Sequence, residues 1–261
     1  MKRISSRDNP FFKELHKLAS SARQRRRAGQ TLLDGAHLLQ AYLAAGGKPQ
    51  HLLVTESALH NDEAAALLHS LTEVPLTQLD DGLYAGLSEL KTPSGILALI
   101  NIPDHLATPA QGNFCLLLED IQDPGNLGSM LRSAAAAGCD AVFLSQGCAD
   151  AWSPKVLRAG MGGHFSLNIH ESVDIPAVAA AFAGQVLAAS LAAKINLYDC
   201  DLRGGLAIAV GNEGAGLSAS LLAAAGRHIT IPMPGNVESL NAAAAAAVCL
   251  FEAVRQRRLS L

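Results

Sequence analysis

Aromatic residues are scarce, 4% of 261 residues with one tryptophan, so the core must be built from leucine, alanine and valine. The five cysteines, Cys115, Cys139, Cys148, Cys200 and Cys249, are odd in number and include no C-x-x-C pair. That argues against a disulfide framework and against a zinc site, and no metal is expected. Most sit in or beside apolar runs, which fits reduced thiols in a cytoplasmic protein. No apolar stretch approaches a membrane span, and the basic N-terminus leads into no continuous apolar segment of a secretory signal. A dinucleotide fingerprint is also missing. The glycines at 211, 214 and 216 are spaced G-x-x-G-x-G, and no acidic residue ends a strand about 20 residues later. A nucleotide-dependent oxidoreductase is therefore disfavoured.

Charge of one sign is concentrated. The whole chain carries −3, yet residues 1–27 hold nine basic residues against Asp8 and Glu14, a balance of +7 that leaves −10 for the rest. A basic run is often only a solvated helix face. Here Phe11, Phe12, Leu15 and Leu18 give one side of a helix an apolar stripe, so the segment reads as a docked helix with a basic outer face. Lys13, Arg23, Arg25, Arg26 and Arg27 are its candidate contacts to a polyanion, RNA in particular.

The chain divides in two. Residues 1–102 read as a small α/β unit: a helix from Pro10 to about Arg27, a strand near Thr31–Leu33, a helix over Gly35–Ala45, a strand at His51–Thr55, a helix through Glu63–Leu71 and an apolar run at Leu97–Asn101. Residues 103–112, with Pro103, Pro109 and Gly112, have linker composition. In residues 113–261, apolar runs at Phe114–Leu118, Ala141–Leu144, Val186–Ala189, Leu206–Val210 and Ile229–Ile231 alternate with helical stretches such as Leu127–Ala137 and Leu240–Arg257. Continuous apolar strands alternating with helices predict a parallel sheet covered on both faces, with ligands at the carboxyl ends of its strands.

Three blocks fall at such ends. The first, Asp123 to Arg132, opens as an Asp-Pro-Gly-Asn turn with Asn126 suited to cap a helix. Capping does not account for Arg132, whose guanidinium suits a phosphate group. The second, Gly211-Asn212-Glu213-Gly214-Ala215-Gly216, lets backbone amides approach a ligand, although alone it is no more than a tight strand-to-helix connection. The third runs from Ile231-Pro232-Met233-Pro234-Gly235 to Ser239-Leu240-Asn241, where Ser239 is a possible helix cap.

In this order and spacing the blocks resemble the three signature motifs of the SpoU (TrmH-like) branch of the SPOUT RNA methyltransferases. The resemblance covers most of Phe114–Arg258. Ser133, where threonine is common, and Ala242-Ala243, in place of a frequent Val-Ser, are small-for-small departures. More loosely, Asn9, Lys13, Arg23 and Leu33-Asp34-Gly35 resemble the start of the small substrate-binding domain that many members carry.

The resemblance implies an α/β protein whose SPOUT domain is tied in a deep trefoil knot, a homodimer, and methylation of a ribose 2′-hydroxyl of RNA by S-adenosylmethionine. Ribosomal RNA is favoured over tRNA. Implied catalytic residues are Arg132, Asn126, Glu213, Ser239 and Asn241. Gly211, Asn212, Gly214, Ile231, Met233, Gly235 and Leu240 would bind the cofactor. A non-catalytic RNA-binding module on the same fold is the rival from another class.

Overall fold

The structure is a computed structural model that describes residues 1–88, 90, 94–103 and 113–258. It separates into two compact units, one formed by Met1–Asp104 with Trp152–Phe165, the other by His105–Ala151 with Ser166–Leu261. Most of the expected linker, 104–112, lies outside the described residues.

The first unit begins with strand β1 (Lys2–Ile4) and helices α1 (Pro10–Ser20) and α2 (Ala22–Ala28). The single helix expected from Pro10 to Arg27 is thus two. Ser21 adopts an extended conformation (φ −131°, ψ 114°) and its side chain caps α2 by accepting the amide of Gln24. The helices bury Phe12, Leu15 and Leu18, as the stripe predicts. The chain continues through β2 (Gln30–Asp34), α3 (Ala36–Ala44), β3 (His51–Val54), α4 (Glu56–Leu59), α5 (Asp62–His69), β4 (Leu76–Leu79), α6 (Asp81–Tyr84) and β5 (Ile96–Asn101). Its five-stranded sheet has the order β1-β4-β3-β5-β2, with β5 antiparallel to both neighbours.

The second unit opens with β6 (Phe114–Leu118), α7 (Pro124–Ala137) and β7 (Ala141–Leu144). The chain then gives α8 (Pro154–Gly160) to the first unit, where Thr31 Oγ1 donates to the Trp152 carbonyl at 2.7 Å and Tyr42 meets Phe165 edge-on. No composition shift marks that segment. It returns through β8 (Asn168–His170), α9 (Ile175–Ala181), β9 (Gln185–Ala189), β10 (Ile195–Asn196), β11 (Leu206–Val210), α10 (Ala219–Ala224), β12 (Arg227–Thr230) and α11 (Ala242–Arg258). All seven strands are parallel, in the order β10-β12-β9-β11-β6-β7-β8. The five residues of β6 and the five of β11 are all buried, which is why each reads as an unbroken apolar run.

Candidate active site

The carboxyl ends of β12, β9 and β11, three neighbours in the sheet, surround a cavity of 430 Å³. Of the residues expected at the cofactor, Gly211, Asn212, Gly214, Ile231, Met233 and Leu240 line it, and Gly235 does not. The sequence pointed to the loops after β11 and β12. It gives no sign that the strand between them also contributes: the residues after it, Ser190 and Leu191, complete the wall and carry no glycine or motif.

The cavity is walled largely by backbone because the glycine loop is folded tightly on itself. A Cβ on Gly211 would lie 2.3 Å from the Gly216 carbonyl oxygen, so no side chain fits there. Gly216 has φ 70°, in the left-handed region where glycine carries no Cβ penalty, and its amide donates to the Asn212 carbonyl at 2.8 Å.

Next to this cavity the three sequence blocks meet through side chains. Asn126 Nδ2 donates to Glu213 Oε1. Asn241 Nδ2 donates to Asn126 Oδ1 at 3.0 Å and to Glu213 Oε1 at 2.9 Å. Glu213 Oε2 accepts no hydrogen bond among the described residues, which leaves it open to a donor on a ligand. A second cavity of 290 Å³, lined by Gln122, Asp123, Asn126 and Glu213 among others, shares Asn212, Glu213, Gly214 and Ala242 with the first.

Two capping assignments change. The cap of α7 is Asp123, whose Oδ1 accepts the Asn126 amide at 2.7 Å, with Pro124 in the first turn. Asn126 lies inside the helix, and its side chain is thereby released to Glu213. Asn241, not Ser239, caps α11, since its Oδ1 accepts the amides of Ala243 and Ala244 at 2.9 and 3.2 Å. Ser239 lines the larger cavity without joining the cluster.

Arg132 stands apart from that cluster. It is exposed on α7 and makes no hydrogen bond or ion pair among the described residues. In the first unit Lys13, Arg23, Arg26 and Arg27 are exposed, Lys13 pairing with Asp8 at 2.9 Å. Arg25 is a correction. It is 4% exposed and its guanidinium donates to the carbonyls of Leu18 and Ala19, closing the end of α1, so it is not part of an outward basic face.

All five cysteines are free, and the described residues contain no group of three metal-ligating side chains. No helix among the described residues is long and apolar enough to cross a membrane.

A parallel sheet with a backbone-rich cavity at its strand ends, flanked by a carboxamide–carboxylate cluster, defines an α/β enzyme that takes a nucleoside-like cofactor. The chain belongs to the SpoU rRNA Methylase family, which matches residues 113–251, and residues 9–98 match the MRM3-like substrate binding domain. It is 33% identical over 256 residues to the 23S rRNA (guanosine(2553)-2′-O)-methyltransferase RlmP of Bacillus subtilis, covering 96% of this chain and 98% of that one. A crystal structure of an RNA 2′-O ribose methyltransferase superposes with a TM-score of 0.84 at 34% identity, covering 98% of this chain and 99% of the other. The SpoU methyltransferase AviRb from Streptomyces viridochromogenes, solved with AdoMet, gives 0.83 at 28% identity over 97% of this chain and 100% of its own.

Proposed function

We propose that this protein methylates a ribose 2′-hydroxyl of ribosomal RNA with S-adenosylmethionine, held in the 430 Å³ cavity at the ends of β12, β9 and β11. The observation that carries the reading is the junction of Asn126, Glu213 and Asn241 against that cavity. The residues fit the group. Backbone amides and carbonyls of the glycine loop suit a nucleoside, Met233 and Leu240 offer apolar surface, and Glu213 Oε2 is an acceptor for an ammonium or hydroxyl.

The cofactor supplies a sulfonium-activated methyl group with a neutral thioether as leaving group. The protein's part is alignment of the attacking oxygen, since an in-line displacement gains most from positioning. Glu213, fixed by two carboxamides, orients a ribose hydroxyl. The Arg132 guanidinium grips the phosphate beside the target and stabilises the developing alkoxide. The hydroxyl proton leaves to that phosphate or to water. Ser239 faces the cofactor from the lining of the cavity.

The exposure of Arg132, away from its own chain's cluster, supports a homodimer whose active site is completed at or near the subunit interface. The family match over residues 113–251 supports a knotted second unit. Lys13, Arg23, Arg26 and Arg27 are the proposed RNA contacts, supported by the substrate-binding domain match over residues 9–98. The free cysteines favour a cytoplasmic setting.

Arg132→Ala tests the assignment. Methyl transfer to rRNA should fall by roughly 10²–10³-fold, the cost of removing one preorganised charge-stabilising group, while calorimetric S-adenosylmethionine affinity holds. Equal transfer in variant and wild type would remove Arg132 from the mechanism.

A further inference from the structure

Two residues between β6 and the cap of α7, Glu119 and Asp120, belong to none of the three sequence blocks, yet each grips one end of the loop Gly211–Ser218. Glu119 holds the far end: Oε2 accepts the Ser218 amide and Oε1 the Ser218 hydroxyl, both at 2.7 Å. Ser218 in turn caps α10 by accepting the Leu221 amide at 3.2 Å. Asp120 holds the near end, its carbonyl accepting Asn212 Nδ2 at 3.0 Å. The Asn212 Oδ1 is spent within the loop, on the amides of Gly214 and Ala215 at 2.9 and 3.1 Å. Asn212 therefore shapes the loop with its side chain.

Asp120 reaches this position only in a strained conformation. Its φ of 56° is left-handed for a residue with a side chain. Ser145, just past β7, stabilises it from both sides: the Asp120 amide donates to Ser145 Oγ at 2.9 Å and that hydroxyl donates to Asp120 Oδ1 at 2.7 Å. Gly147 leaves room for the carboxylate, because a Cβ there would come within 2.1 Å of Asp120 Oδ1. The carboxyl ends of β6 and β7 are thus built to present one carboxylate and one carbonyl to the two ends of the glycine loop.

We propose that Glu119 and Asp120 are positioning residues that clamp the cofactor loop open in its binding shape, so that its backbone need not be ordered when the cofactor arrives. This rests on the reading of the larger cavity as the S-adenosylmethionine site. A charge-assisted pair of hydrogen bonds lost at Glu119 should weaken cofactor binding by about 10-fold or more. Because Glu119 and Ser218 serve one contact, their losses should not add.

The test is calorimetric titration of S-adenosylmethionine into wild type, Glu119→Ala, Glu119→Gln, Ser218→Ala and the Glu119→Ala/Ser218→Ala double variant, with steady-state kinetics on rRNA and cofactor-free melts. The clamp predicts a raised cofactor Kd and KM in Glu119→Ala, with kcat at saturating cofactor and the KM for RNA held. It also predicts an intermediate value for Glu119→Gln, whose amide oxygen still accepts from Ser218, and a double variant no worse than Glu119→Ala. Should Glu119→Ala not fold, Glu119→Gln and Ser218→Ala, each of which weakens or removes part of the same contact, carry the test. Cofactor affinity unchanged in folded variants, or kcat and both KM values shifting in proportion to a loss of Tm, would overturn the clamp. Failure of wild type to bind S-adenosylmethionine would overturn the cofactor reading itself, and the clamp with it.

Discussion

Asn241 carries two jobs with one carboxamide: its oxygen caps α11 and its nitrogen joins Asn126 to Glu213. Such full use of a small polar side chain fixes a geometry that apolar packing alone would leave loose. The cysteines show the opposite economy. Burial pushes the thiols of Cys115 and Cys249 up to about 12 from an ordinary 9.0, with Asp140 adding to the first and Cys200 to the second. In the unfolded chain they ionise near the ordinary value, and in the folded one they do not. Their contribution to stability is therefore complete below pH 9 and is lost as the pH climbs from 9 toward 12, by up to about 1.4 kcal/mol per pH unit for each thiol. Thermal melts at stepped alkaline pH should show Tm falling more steeply in wild type than in Cys115→Ala/Cys249→Ala; parallel curves would contradict this.

At the scale of elements, the last turn of α11 staples the amino ends of two central strands, opposite the cofactor cavity. Arg257 donates to the carbonyls of Leu202 and Gly204 at 3.2 and 2.8 Å, and its guanidinium lies 4.1 Å over the ring of Phe114, the first residue of β6. Arg257→Ala should cost about 1–3 kcal/mol of stability without changing cofactor affinity, and an unchanged denaturant midpoint would refute it. The elements themselves were unequally legible. Phe114–Leu118, Ala141–Leu144 and Leu206–Val210 declare themselves because burial on both faces demands apolar residues throughout. β1, β4, β8 and β10 do not, being two to four residues long and partly polar at sheet edges or beside them. Likewise Asn126, Glu213 and Asn241 were legible as motif members, whereas Glu119, Asp120 and Ser145 sit in ordinary strand-end sequence. Only distance in space relates them to the loop 211–218.

For the whole molecule, the basic N-terminal segment and the cofactor cavity belong to different compact units, and residues 152–165 are contributed to the first from the midst of the second. Composition and charge marked the two halves, yet nothing in local periodicity signals a segment exchanged between them. The central claim is that the two units together methylate a ribose. It is tested most directly by incubating the protein with labelled S-adenosylmethionine and undermethylated rRNA or tRNA, then digesting the product with alkali. The account predicts label on rRNA in alkali-resistant dinucleotides, the signature of a blocked 2′-oxygen. Label released in single nucleotides, on a base, would contradict it.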